Sequence, residues 1–145
     1  MDIKGLTNEL VKKHMTRNPI ELARELGITV LFENLGRING FYNTSINLKF
    51  IHINRKLKGQ KMILTVAHEL GHVIMHPDSN TPFMREHTYF SISRYETEAN
   101  KFAVHLLISD NELQELHNMS YTTGQIAGYY GLPEKLIELR LQDTF

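Results

Sequence analysis

The sequence predicts an α+β fold in which a small three-stranded sheet packs against a helical bundle. Three observations carry this expectation. Gly59 to Met75 sets Ile63, Val66, Ala67, Leu70, Val73 and Ile74 at helical spacing, the strongest helical signal in the chain. Short β-branched runs precede it, of which Ile28-Thr29-Val30-Leu31-Phe32 is the clearest. Further helical patterns follow it, so strands and helices are segregated along the chain rather than alternating.

The chain opens with a helix from Leu6 to Met15, apolar at Leu6, Leu10 and Val11 and polar on its far side. Asn18-Pro19 is a helix-start signal, and a second helix follows from Ile20 to Leu26, ended by Gly27. Ile28 to Phe32 is the first strand. Gly36 to Tyr42 and Ser45 to Ile53 read as two more, turning near Asn43-Thr44. Apolar residues alternate imperfectly from Ile46 to Ile53, which leaves the register open. Pro77 stops the long helix, and Pro77 to Ser91 carries the Pro, Asn, Asp and Ser of a loop. Ser93 to Leu107 is a second long helix. Two or three short helices come after it, the last pair separated by Gly131-Leu132-Pro133. The expected organisation is one domain over 1–145. N-terminal helices occupy 1–27, strands and the two long helices 28–108, and small helices 109–145.

A chain of 145 residues, 41% apolar and 22% charged, has an ordinary globular composition and is long enough for one core. No apolar stretch could span a bilayer, and Met1-Asp2-Ile3-Lys4-Gly5 lacks the pattern of a secretory signal. The expected location is the cytoplasm, with no membrane partner. There is no cysteine, which excludes disulfides, thiolate metal sites and a cysteine nucleophile. The formal net charge is zero, so nothing draws the chain as a whole to nucleic acid or anionic lipid. The eight histidines are the one unusual feature, and any metal must be held by His, Asp or Glu.

Two of those histidines belong to His68-Glu69-Leu70-Gly71-His72, on the long helix. Four residues apart, both imidazoles leave one face of the helix and can reach one zinc ion. Glu69 lies about 100° round the helix from His68 and about 60° from His72. It can sit beside the ion without binding it, take a proton from the attacking water and pass it to the leaving amine. Zinc brings the pKa of a water it holds to about 7, which supplies hydroxide at neutral pH. Gly71 costs about 1 kcal/mol of helix propensity relative to Ala. Another backbone or a substrate strand is therefore expected to pass close to it.

A catalytic zinc takes three protein ligands and keeps a further position open. A third histidine at metzincin spacing would fall on Asp78, so that pattern fails. His76 is one turn after His72, but three successive ligands on a straight helix cannot close round one ion. It reads as a helix-end residue or as a hydrogen-bond partner of a ligand. Glu96-Thr97-Glu98-Ala99-Asn100, on the next helix, offers a carboxylate in the gluzincin manner. Glu96 and Glu98 are both open as the ligand, and either could be solvated surface. Helical phase favours Glu96, about 70° from the centre of the stripe Ala99, Phe102, Ala103 and Leu106, with Asn100 about 40° beyond it. Glu98 falls near 200° with Lys101 and His105, on the side expected to face water. Its loss is expected to change zinc binding little. Asn100 stands where its amide could orient a ligand histidine.

These motifs resemble those of the ImmA/IrrE family of small metallopeptidases. The resemblance rests on Ile51-His52-Ile53-Asn54, on Thr65-Val66-Ala67-His68-Glu69-Leu70-Gly71-His72 with His76 one turn on, and on Glu96-Thr97-Glu98-Ala99-Asn100-Lys101-Phe102-Ala103. The late segment from Ile126-Ala127 to Arg140-Leu141 adds to it. It covers the chain roughly from Pro19 onward and implies a zincin-like active-site helix. It further implies a bacterial or prophage protein, Zn2+ as cofactor, His68, His72 and Glu96 as ligands, and Glu69 as the catalytic acid and base. The implied substrate is a protein, typically a helix-turn-helix transcriptional repressor cut at one site to relieve repression. Some members of the family carry a further C-terminal domain, which a chain of this length is not expected to hold.

The expected function is thus that of a zinc endopeptidase acting on a regulatory protein. One rival is an antirepressor that binds without cutting and keeps zinc for structure, which would have no need of Glu69. The other is a DNA-binding regulator. Ala23 to Ile28 and Ala127 to Leu132 both mimic helix-turn-helix spacing, but read more plainly as small packed helices. From Asp110 onward, Asp110, Glu112, Glu115, Glu134, Glu138 and Asp143 face only Lys135 and Arg140, the reverse of what phosphate contact needs. No direct nucleic-acid partner is expected. The basic run from Arg55 to Lys61 reads as a solvated loop. Tyr42, His87, Tyr89 and Tyr95 are open as donors to the oxyanion of the tetrahedral intermediate, with packing roles as the alternative.

Overall fold

The computed structural model describes residues 1–77 and 89–143, with the stretch 89–93 described by its backbone alone. Local chemistry sets most of the element ends. Helix α1 (Ile3–His14) starts where the Asp2 carboxylate accepts from the Gly5 amide, three residues before the apolar spacing begins. In α2 (Pro19–Glu25), Asn18 accepts from the amides of Ile20 and Glu21, and proline takes the first helical position. Strand β1 (Ile28–Glu33) follows directly, so Ala23 to Ile28 leads into a strand and is no helix-turn-helix. Strands β2 (Gly40–Ser45) and β3 (Leu48–Asn54) then form a hairpin.

The hairpin corrects two expectations. The turn is not at Asn43-Thr44 but at Ile46 and Asn47, whose φ angles of 49° and 65° are both positive, as a two-residue connection requires. Ser45 pairs with Leu48 across it. Ile46 is an unusual occupant of the left-handed region, and it stands 92% exposed. Asn43, read as a turn former, is instead a strand residue whose side-chain carbonyl accepts from His52 Nε2 at 2.6 Å. The second strand also begins later than Gly36, because the buried Asn54 side chain holds the preceding segment in a loop. Its amide donates to the carbonyls of Gly36 and Ile38 at 3.0 and 2.9 Å.

The sheet is mixed, in the order β1-β3-β2, with β1 parallel and β2 antiparallel to the central β3. In register, Val30, Ile51 and Tyr42 lie side by side and turn inward. Helix α3 (Gly59–Met75) packs on this face, with Val66, Ala67, Leu70 and Val73 in the core. Gly40 lets the edge strand approach. A Cβ there would stand 2.9 Å from the His52 carbonyl oxygen and 3.0 Å from Thr65 Cγ2 of α3.

Helix α4 (Tyr89–Leu107) lies on the other side of α3 and starts four residues earlier than Ser93, in what reads as loop from sequence. Three short helices close the chain: α5 (Asp110–Asn118), α6 (Thr123–Tyr130) and α7 (Glu134–Leu141). Ser109 caps α5, and Thr122 with Gln125 forms a capping box on α6. These helices bury a second cluster around Ile108, Leu113, Leu116, Ile126 and Ile137, to which Leu64 and Leu107 of the long helices also belong. Ala127 and Leu132 lie in that cluster, and the outward residues Glu134, Lys135 and Glu138 of α7 are acidic on balance.

The end of α4 is tied by two arginines. Arg17 donates to the carbonyls of His105 and Leu106, and the buried Arg140 donates to the Ile108 carbonyl and, at 2.5 Å, to Asp110. Arg140→Met strands these acceptors and is expected to cost about 2–3 kcal/mol, read by denaturant unfolding. The hydrogen bond from Arg140 holds the Asp110 carboxyl below its ordinary value of 3.8. Its contribution is therefore complete above pH 3.8 and is lost as the pH falls through the lower, folded value. The melting temperatures of wild type and Asp110→Asn should differ at neutral pH and converge in acid.

Candidate metal centre

Helices α3 and α4 face each other in opposite directions. His68 meets Asn100, while His76, two turns on, meets Tyr95 and Glu98. Close approach is possible because Gly71 has no side chain. A Cβ there would stand 3.1 Å from Cβ and Cδ1 of Phe102. The neighbour of Gly71 is thus a side chain of α4, not the backbone or substrate strand expected from sequence.

The structure brings His68, His72 and Glu96 together. Glu96 Oε2 is 3.0 Å from His68 Nε2, Glu96 Oε1 is 2.9 Å from His72 Nε2, and the two imidazole nitrogens are 3.2 Å apart. Among the described residues, these three are the His, Asp and Glu cluster able to hold a metal ion. Zinc donors about 2.0–2.1 Å from the ion in tetrahedral array are separated by roughly 3.3 Å. Small outward movements would seat one ion among these three atoms. The donor set, two imidazoles and a carboxylate, also suits zinc.

Each histidine presents Nε2 to the cluster because Nδ1 is engaged elsewhere. His68 Nδ1 donates to Asn100 Oδ1 at 2.7 Å, as the sequence suggests. His72 Nδ1 faces His76 Nδ1 at 3.0 Å, and His76 Nε2 faces Glu98 Oε1 at 3.0 Å. Burial opposes ionisation of Glu96, but the hydrogen bonds from His68 and His72 outweigh it and hold the carboxyl well below the usual range. Burial pulls His68 down, yet the hydrogen bond to Glu96 and the charge of Glu69 raise it overall. Burial prevails at His72 and lowers it.

Glu69 is 2% exposed, yet it lines the cleft beside the cluster. That cleft has a volume of about 430 Å³ and is walled by the loop Arg37-Ile38-Asn39, the edge residue Gly40 and Thr65 of α3. The loop wall has no signal of its own in the sequence, and Asn54, which holds it, stands there only as the last residue of the Ile51-to-Asn54 motif. Its partners, Gly36 and Ile38, are 18 and 16 residues away in sequence.

Two expectations about α4 fail. Glu98 does not face water, since its side chain is 17% exposed and bonded to His76. His105 is buried and pairs with Asp143 at 3.1 Å. Helix α4 is covered by α3, α1 and α7, so a reading with one buried face and one wet face does not apply to it. Of the oxyanion candidates, the Tyr42 ring is fully buried and its hydroxyl donates to the His76 carbonyl at 2.6 Å. Tyr95 packs on His76, with centroids 4.1 Å apart. His87 and the Tyr89 side chain, like Asp78, lie outside the described residues.

The profile of a peptidase family, described as the IrrE N-terminal-like domain, matches residues 23–142. The chain belongs to the ImmA/IrrE family. This ImmA/IrrE member is 42% identical over 139 residues to a Bacillus phage phi105 protein named uncharacterized immunity region protein 2. That match covers 95% of this chain and 88% of the other. It is 29% identical over 143 residues to the metallopeptidase ImmA of Bacillus subtilis (strain 168), covering 96% and 83%. No solved structure matches it. Membership makes a metallopeptidase the supported activity class. Among the described residues of this ImmA/IrrE chain, no helix is long and apolar enough to cross a membrane.

Proposed function

We propose that the protein is a zinc endopeptidase of gluzincin type that cleaves a regulatory protein, of the DNA-binding repressor kind, in the cytoplasm. The observation that carries this is the convergence of His68 Nε2, His72 Nε2 and a Glu96 oxygen beside Glu69 at a cleft. His68, His72 and Glu96 would hold the ion. Bound there, zinc supplies a Lewis acid and an acidified water at neutral pH.

The chain's own residues do the rest. Glu69 accepts a proton from the attacking water and returns it to the leaving amine. Its burial keeps bulk water from competing for that proton. The cleft wall from Arg37 to Gly40 ends in β2, an edge strand, so an extended peptide can lie along it. Asn54 fixes that wall from below. Asn54→Ala is expected to raise KM several-fold with a smaller change in kcat, measured on any cleaved peptide, because it loosens the wall and not the metal ligands.

The phage relative is named an immunity region protein, and that name supports a regulatory target. A binding protein with a structural zinc remains the second reading. Glu69 at the cleft speaks against it, because a structural site has no use for a proton carrier. Metal analysis tests the proposal. The purified protein should carry one zinc per chain, and His72→Ala should carry none. A metal-free wild type that takes up no added zinc would sink it.

A further inference from the structure

We propose that Glu98 and His76 form a relay that positions His72 for the metal. This rests on the reading of His72 as a ligand. An imidazole that offers the Nε2 lone pair carries its proton on Nδ1, and that proton needs an acceptor to fix the ring. Asn100 provides one for His68 directly. Among the described residues, His72 has neither amide nor carboxylate at Nδ1. It has the Nδ1 of another histidine at 3.0 Å.

With the Nε2 lone pair of His72 kept for the metal, one arrangement of protons satisfies both contacts. His72 Nδ1–H donates to His76 Nδ1, so His76 keeps its own proton on Nε2 and donates it to Glu98 Oε1 at 3.0 Å. Glu98 thereby selects the tautomer of His76, which in turn selects that of His72. The rings have little freedom to turn. Tyr95 packs on His76 with centroids 4.1 Å apart, and Tyr42 stacks on His72 at 5.5 Å. The Tyr42 hydroxyl also fastens the His76 backbone. His72 and His76 are 2% and 6% exposed, so water does not substitute for these partners.

The relay explains the spacing Glu96-x-Glu98-x-Asn100. Glu96 and Glu98 border the stripe that α4 packs on α3 from opposite sides. Glu96 reaches the ligand nitrogens themselves, Asn100 reaches the back of His68, and Glu98 reaches the back of His72 through His76. A bland alternative is that Glu98 and His76 merely tie two helices together.

The test measures zinc affinity by competition with a chromophoric chelator, alongside the melting temperature of the metal-free proteins and the imidazole ¹⁵N spectrum of His72. Glu98→Ala should bind zinc about 10- to 100-fold more weakly, and its His72 should lose the single Nδ1-protonated form. Glu98→Gln keeps an acceptor oxygen and should restore most of the affinity. His76→Phe preserves the packing on Tyr95 but removes the acceptor, and should repeat the loss even if Glu98→Ala does not fold. A Glu98→Ala protein that melts lower but binds zinc like wild type, with the His72 spectrum unchanged, makes the pair a helix tie and overturns the relay alone. A wild type that binds no zinc overturns the metal centre and the relay with it.

Discussion

Glu69→Gln is expected to bind zinc as the wild type does and to cleave peptide about 10²- to 10⁴-fold more slowly. The substitution preserves size and hydrogen-bonding reach, and it leaves His68, His72 and Glu96 untouched. What it removes is a group that can take and return a proton. Among the described residues, neither Glu96 nor Glu98 substitutes for Glu69 in this role, because Glu96 is held ionised between two histidines and Glu98 is bonded to a third. Glu69 lines the same cleft as His68 and Glu96, which places it beside the cluster. Zinc content and single-turnover cleavage, measured on the same preparation, separate the two functions. Cleavage at the wild-type rate would remove Glu69 from the chemistry and favour the reading as a binding protein.

Glu96→Ala should lose zinc almost completely. Removing an outer hydrogen-bond partner of a ligand costs about 10- to 100-fold in metal affinity. Removing one of the three proposed ligands must cost more, since only two imidazoles on one helix remain. Ranking the variants by zinc retained after dialysis should therefore place Glu96→Ala below Glu98→Ala. The reverse ranking would make Glu98 the ligand and would require α4 to turn by about half a revolution.

Much of this site was legible in sequence because it is built from local patterns. Helix α3 runs from Gly59 to Met75 as its apolar spacing and the stop at Pro77 dictate. His68, Glu69 and His72 follow from their positions on it. Glu96 and Asn100 followed from the phase of a second helix. Glu98 and His105 depart from the expected helix with one wet side. Helix α4 is packed by α3, α1 and α7, and polar residues on its flanks find partners there. The hairpin turn was misplaced because Asn43 and Thr44 look like turn formers, while Ile46 does not look like a residue with positive φ. The cleft wall depends on contacts from Asn54 at the end of β3 to the loop between β1 and β2, which no local pattern records.

The measurement closest to the central claim is mass spectrometry of a helix-turn-helix regulator, the one encoded nearest this chain, after incubation with the zinc-loaded protein. Cleavage at a single peptide bond is predicted, absent when zinc is chelated and absent with Glu69→Gln. A regulator that is captured by the zinc-loaded wild type yet stays intact would contradict the account.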